Sequence, residues 1–255
     1  MKVRILGCGT SSGVPRIGEG GWGRCDPAEA RNRRLRSSIL VETAGESILV
    51  DAGPDMREQL IAAGTATIDR VVITHDHADH CHGIDDLRQL AHNRDEPVTV
   101  YARADVLQRL EDRFRYLFHG TALYPPVAGA AVLEGEWQCG GVRVRFVDQP
   151  HGRITSVGMR FDEGGRSLGY AIDFHDVTPA MADLYVGVDV WIADALRRTP
   201  HPTHAHLDAT IGWAREIGVK QLYLSHMDNS MDWATLAKEL PSWAAPAFDG
   251  QEILL

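Results

Sequence analysis

The sequence predicts a mixed α/β protein, a sheet core covered by helices. Three observations carry this. The apolar pattern switches repeatedly between a period of two and a period of about 3.6 along the chain. Strand signals fall in adjacent groups near residues 38–50 and 142–172, which a strictly alternating βαβ chain would not show. The chain has 255 residues, 44% hydrophobic and 24% charged, enough to bury a sizeable core without disulfide staples.

Each element has its own signal. Val3 to Leu6 reads as a first strand, and Ser38 to Glu42 and Ser47 to Val50 as a pair joined by a turn at Ala44-Gly45. Pro54 to Ala63 reads as a helix, with Pro in its first turn and Gly64 as its stop. Arg70 to Thr74 is a β-branched run and reads as a buried strand. Ile84 to His92 and Ala104 to Phe118 have helical spacing, and Phe114, Tyr116, Phe118 and Tyr124 are expected to pack there. Val142 to Val147, Ser156 to Phe161, Ser167 to Ile172, Val188 to Ile192 and Gln221 to Leu224 read as strands. Asp208 to Ile217, stopped by Gly218, and Asp232 to Leu240 read as helices.

Composition excludes several classes. The apolar content is too high for a disordered chain. No stretch approaches the roughly 18 apolar residues of a membrane helix. Met1 to Gly7 is too short in apolar residues to be a secretory signal, so no membrane association and a cytoplasmic location are expected. Lys and Arg number 26 against 35 Asp and Glu, a net charge of -9, which makes nucleic acid an unlikely partner. Cys8, Cys25, Cys81 and Cys139 form no CxxC pair and suit a reduced compartment. No internal repeat or low-complexity tract is visible, and Gly18 to Gly23 reads as a surface loop.

The strongest chemical signal is Thr74-His75-Asp76-His77-Ala78-Asp79-His80, directly after a predicted strand. Residues two apart on an extended strand end point to the same side, so His75 and His77 can converge on one ion. The turn after them can aim Asp79 and His80 at a second point. Imidazole and carboxylate suit zinc, manganese or iron. The plain alternative is a polar loop rich in His. One loop supplies too few ligands for two ions. His151, Asp173 and His226 each lie just past a predicted strand, where α/β folds place functional groups. Singly, each also reads as an ordinary loop residue or helix cap.

With these motifs the sequence resembles the metallo-β-lactamase-fold hydrolases, whose His-x-His-x-Asp-His pattern is matched by His75, His77, Asp79 and His80. Leu49-Val50-Asp51-Ala52-Gly53 is similar to the strand carrying that family's early Asp. The resemblance spans Lys2 to Leu255 and implies a single domain over residues 1–255, a four-layer αββα sandwich of two mixed sheets flanked by helices. It implies two divalent metal ions, with zinc or manganese expected and iron possible. His75, His77 and His151 would hold one, Asp79, His80 and His226 the other, and Asp173 would bridge, with Asp51 orienting a ligand from behind.

The opening Gly7-Cys8-Gly9-Thr10-Ser11-Ser12-Gly13-Val14-Pro15 and the run Asn32 to Ser38 are similar to the phosphodiesterase branch of this superfamily. That branch includes the phosphoribosyl 1,2-cyclic phosphate phosphodiesterases and, more distantly, the tRNA 3′-end processing endonucleases. The resemblance implies a substrate-binding general acid at His206, with His204 as the competing register, and a catalytic part for Asp79 beside its role as ligand. The branch's structural zinc cluster is not matched, because Cys25 stands alone and Asn229 occupies the position three beyond His226.

The expected reaction is hydrolysis of a small cyclic phosphodiester, of phosphoribosyl cyclic phosphate or cyclic nucleotide type, by a metal-bridging hydroxide. The alternatives are a thioesterase or lactonase, an RNA-processing endonuclease of the same fold, and a non-catalytic scaffold. A phosphorylated small molecule is the expected partner and a homodimer the base-rate assembly. Two features have plainer readings. The glycine-rich opening is either a phosphate cradle or a tight turn, and Arg31, Arg33, Arg34 and Arg36 read as a solvated loop face.

Overall fold

The computed structural model describes residues 1–255. Fourteen strands form two sheets. In chain order the first six are β1 (Lys2–Gly7), β2 (Ser38–Glu42), β3 (Ser47–Val50), β4 (Arg70–Val72), β5 (Val98–Ala102) and β6 (Ala128–Val132). They continue as β7 (Glu136–Cys139), β8 (Val142–His151), β9 (Ile154–Glu163), β10 (Arg166–Ala171), β11 (Val190–Asp194), β12 (Gln221–Ser225), β13 (Ala244–Pro246) and β14 (Glu252–Leu254). The first sheet runs β14-β1-β2-β3-β4-β5-β6 and the second β13-β12-β11-β10-β9-β8-β7. In each, four consecutive strands are antiparallel and the strands beyond β3 or β10 are parallel.

The period of two decides which core each side chain enters. Ile39, Val41, Ile48 and Val50 join the large core shared with the second sheet, among Phe161, Trp191 and Ile192. Their neighbours Leu40 and Leu49 face the other way, into a separate core. There they meet α1 (Met56–Ala63), α3 (Leu87–Arg94) and α4 (Ala104–Arg113), having skipped the short α2 (Ala78–Cys81). The second sheet carries α6 (Pro179–Tyr185) and α7 (Leu207–Ile217) on its far side, beyond α5 (Arg115–His119) in sequence, and α8 (Trp233–Glu239) comes last. The result is the expected four-layer sandwich of two mixed sheets flanked by helices.

Several elements depart from expectation. The helix expected over Ala104 to Phe118 breaks at Phe114, whose φ of -117° and ψ of 35° leave the helical region. Phe118 is buried as expected, but Tyr116 and Tyr124 stay exposed. The helix expected from Ile84 begins as a 3₁₀ turn, Ile84–Asp86, and becomes α-helical only at Leu87. Strands β5, β6, β7, β13 and β14 are additional to the expected set. β5, Val98-Thr99-Val100-Tyr101-Ala102, carries a clear alternating signal that the sequence reading does not use, and the others are short or weakly patterned. Helix α6 is also absent from the sequence reading, although Thr178 caps it by accepting the Met181 N–H at 3.2 Å and Pro179 opens it. No helix is long and apolar enough to cross a membrane.

Candidate metal centre

The parallel strands of both sheets end at one edge, and the candidate ligands sit there. β4 stops at Val72, and the chain from Thr74 turns into α2, which carries Asp79 and His80. Gly53 lets this turn pack closely, since a Cβ there would lie 2.0 Å from the Asp79 carbonyl oxygen. Asp51, just past β3, is fully buried. Its carboxylate accepts the Thr74 N–H at 2.8 Å and the Thr74 hydroxyl at 3.0 Å, and pairs with His80 Nδ1 at 2.7 Å. Asp51 thus ties the loop through Thr74 and holds the His80 ring.

The ring nitrogens facing away from the centre are similarly occupied. His75 Nδ1 lies 3.0 Å from Thr74 Oγ1, whose proton goes to Asp51. His226 Nδ1 lies 3.0 Å from Ser37 Oγ, which donates its own proton to Gly9 O. His151 Nδ1 donates to Thr203 O at 2.8 Å. Each partner assigns the ring proton to Nδ1 and leaves Nε2 unprotonated, with its lone pair pointing inward.

Asp173 lies at the middle. Its Oδ2 is 2.7 Å from His80 Nε2, and its Oδ1 is 3.1 Å from His204 Nδ1, 3.4 Å from His226 Nε2 and 3.7 Å from His151 Nε2. Asp79 Oδ2 is 3.2 Å from His80 Nε2, and His77 Nδ1 is 3.3 Å from His151 Nε2. Ligand-capable atoms lie within 4.8 Å of one another in four overlapping groups. These are His75, His77 and His151; His75, His80 and Asp173; Asp79, His80 and His226; and His151, Asp173 and His204.

These residues fit divalent cations by a test the geometry itself supplies. His75 Nε2, His80 Nε2 and Asp173 Oδ2 are buried with no hydrogen-bond partner, although the last two are only 2.7 Å apart. Buried polar atoms left unpaired are costly, and imidazole nitrogen with carboxylate oxygen is a donor set for zinc, manganese or iron. Asp51, Asp173 and His226 also hold positive φ angles of 66°, 58° and 56°, the kind of backbone strain that collects at functional sites.

Charge follows the same plan. Burial pushes the Asp51 carboxyl up, and the Thr74 and His80 contacts oppose it only in part. Burial also disfavours the charged form of Asp173, but His226 and His80 outweigh it and hold the group well below the usual carboxylate range. His75 is driven well down by burial and by neighbouring imidazoles, which keeps it neutral as a ligand must be. His204 behaves oppositely. Burial disfavours its cation, but Asp194, 2.9 Å from Nδ1, and then Asp173 push its pKa up to about 9.

A cavity of about 450 Å³ opens here, lined by His77, Asp79, His151, Asp173, His204 and His226, with Ser11, Arg153 and Thr203. All seven expected ligands lie together around it or beneath it. His206 does not line it. It is the residue preceding α7, and its carbonyl takes the Thr210 N–H at 3.0 Å. His204, two residues earlier, supplies the imidazole in the cavity wall, so the competing register is the one the fold places there.

Asp194 is missing from the sequence reading, yet it ends β11 as Asp173 follows β10, and the same strand-end signal points to it. The glycine-rich opening does not present a free cradle at Gly9, Thr10 and Gly13, whose N–H groups bond Leu35 O, Met227 O and Thr10 O. Arg34 is not solvated. It is 1% exposed and donates to Met231 O at 2.6 Å, Asp228 O at 3.2 Å and the Cys25 sulfur at 3.8 Å. Cys81 is a packed residue whose thiol donates to His77 O at 3.1 Å.

Residues 46–227 match the family model described as a β-lactamase superfamily domain. The crystal structure described as a new diphosphatase from the PhnP family superposes with a TM-score of 0.88 and 32% sequence identity, over 99% of this chain and 96% of that one. An octanoyltransferase of Porphyromonas gingivalis is 30% identical over 265 residues. The match takes in 100% of this chain but 52% of that protein, so the chain spans about half its length. A ribonuclease Z of Haloarcula marismortui is 25% identical over 319 residues, 100% of this chain and 94% of that protein. The chain therefore belongs to the β-lactamase superfamily, with the metallo-β-lactamase fold and a His and Asp cluster whose donor set suits divalent metal ions.

Proposed function

We propose that the chain, acting as one domain, is a phosphodiesterase for a small cyclic phosphodiester of sugar or nucleotide type. The carrying observation is His204, held between Asp194 and Asp173 in the cavity wall, an acid placed where an alkoxide would leave. His75, His77 and His151 are the ligands we assign to one cation and Asp79, His80 and His226 to a second, with Asp173 shared. Such cations, zinc, manganese or iron, supply Lewis-acid charge to a phosphoryl group and acidify water when bound.

The chain's own residues do the rest. Asp194 takes Nδ1–H of His204 and leaves Nε2 to deliver a proton to the departing oxygen. The same Asp194 accepts the Asp173 N–H at 3.1 Å, so one carboxylate ties the acid to the shared ligand. Burial works against the Asp79 carboxylate, but His80 beside it holds its pKa below the usual range. Asp79 therefore stays an acceptor that can orient water in the cavity. The acid role expected at His206 passes to His204.

A second reading, cleavage of RNA, is favoured by the near full-length likeness to a ribonuclease Z. The net charge of -9 and the lack of a Lys/Arg-rich arm weigh against it. The test is hydrolysis of a panel by manganese- or zinc-loaded protein, with His77→Ala as the blank. The panel holds an aryl diester, a ribose 1,2-cyclic phosphate, 2′,3′- and 3′,5′-cyclic nucleotides, a tRNA precursor and a thioester. Turnover of a cyclic diester above all others supports the proposal. Preference for the tRNA precursor supports the second reading, and turnover of the thioester alone overturns both.

A further inference from the structure

The residue between the first two histidines of the metal loop has a role that the ligand pattern does not assign. The side chains of His75 and His77 reach the centre, so Asp76 between them points the opposite way, toward α4. There it meets two arginines one helical turn apart. Asp76 Oδ2 lies 3.0 Å from Arg109 Nε and 2.5 Å from Arg113 Nη2. Arg113 does more than pair charges. Its Nη1 donates to the Asp76 carbonyl oxygen at 2.8 Å, so one guanidinium holds both backbone and side chain of the loop. The same nitrogen lies 3.9 Å from the Cys81 sulfur, whose thiol donates to the His77 carbonyl at 3.1 Å. Asp105 braces Arg109 at 3.1 Å, and Val106, Leu107 and Leu110 anchor α4 in the outer core.

We propose that Arg113, assisted by Arg109, is a positioning residue that sets the metal affinity of the loop bearing His75 and His77. This rests on the divalent-metal reading of the centre and not on the identity of the substrate. Ligands separated by one residue keep their spacing only if the backbone between them is held. The inner side of the loop is fixed by Asp51 through Thr74, and the outer side by Arg113 through Asp76. Isolated surface ion pairs contribute little to stability. A planar fork gripping carboxylate and carbonyl together adds geometry that a point charge lacks.

The experiment measures zinc affinity by chelator competition on the full chain and records the spectrum of the cobalt(II) form. Thermal melts of the metal-free proteins run alongside. Arg113→Ala is expected to weaken zinc binding about 10- to 100-fold, the usual cost of losing a partner behind the ligands, and to alter the cobalt bands. Its metal-free melting temperature should stay near that of the unmodified chain. Arg109→Ala should lose less, having only the carboxylate contact. Arg113→Lys should fall between, since it keeps the charge but not the fork. Unchanged affinity and cobalt spectrum in Arg113→Ala would overturn the proposal. So would an affinity loss matched by an equal loss of metal-free stability. An unmodified chain that bound no divalent metal would overturn the metal reading and this proposal with it. Metal binding without phosphodiester turnover would sink only the proposed function.

Discussion

In the first sheet, Ser38 Oγ donates to the carbonyls of Val50 and Asp51. In the second, Ser156 Oγ donates to the carbonyls of Ile172 and Asp173. Ser47 and Asp69 exchange hydrogen bonds at the far end of β3, and Ser167 and Asp189 do the same at the far end of β10, each pair 22 residues apart. Asp51 and Asp173 both hold positive φ just past their strands. The two sheets therefore present an aspartate in the same backbone setting. They use it differently. The Asp51 carboxylate turns back to Thr74 and His80, while the Asp173 carboxylate stands among the inward nitrogens of His80, His151, His204 and His226. The end of the next strand makes the difference. After β4 comes the ligand loop, which Asp51 must hold, and β11 ends in Asp194, which instead holds Asp173 and His204. A shared frame fixes where an aspartate sits, and its neighbours decide whether its carboxylate faces the centre or turns back to brace the loop.

The largest expected effect comes from exchanging the two roles' chemistry. Asp173→Asn should abolish measurable phosphodiester hydrolysis and lower metal content, read by elemental analysis beside turnover. Retained activity would erase the distinction from Asp51. Next is His204→Ala, expected to lower kcat about 10²- to 10⁴-fold on substrates with a poor leaving group. The loss should be smaller on an aryl diester, whose leaving group needs no proton, and His206→Ala should leave kcat near normal. The acid must be protonated to act. With His204 pushed up to about 9, kcat should fall as pH rises through that value. Asp194→Asn removes the leading opposing charge and should move this alkaline limb to lower pH. A limb that stayed in place would assign it to another group.

Asp51→Asn sits third. It should cost about 10- to 100-fold in metal affinity while some turnover survives at saturating metal, which separates support from ligation. Ser38→Ala and Ser156→Ala are expected to show the smallest effects. Ser38→Ala removes the hydroxyl donor to the Val50 and Asp51 carbonyls, and Ser156→Ala removes it from the Asp173 carbonyl while Gln149 still donates to Ile172 O. Each should cost about 1–3 kcal/mol, measured by denaturant unfolding of the metal-free chain. Near-equal losses would sharpen the likeness of the two frames. A loss in only one would break it.

Local pattern is informative where one strand and its loop carry the signal. The spacing from His75 to His80 places four candidate ligands together, and the strand-end rule brings in His151, Asp173 and His226. All seven converge. The adjacent strand groups point to mixed sheets, and the turn residues at Gly64 and Gly218 end α1 and α7 as read. The likeness of the two sheets is invisible in the sequence, because it resides in Ser and Asp hydrogen bonds at matched backbone positions and not in repeated sequence. Strand β6, Ala-Gly-Ala-Ala-Val, has almost no β pattern of its own and forms because β5 offers it a parallel edge.

The sequence by itself determined the candidate ligand types, their order and the short-range spacing that puts His75 and His77 on one side. These depend only on covalent reach and strand alternation. The tertiary structure alone placed His204 in the cavity wall and His206 at the start of α7, two residues apart in sequence but in different settings. It also decided the ring protons. Ser37 and His226 are 189 residues apart, and Thr203 and His151 are 52 apart. Asp76 met Arg113 across 37 residues in the same way. Such partners lie on different elements, and only the packing of two sheets and their helices sets the distances between them.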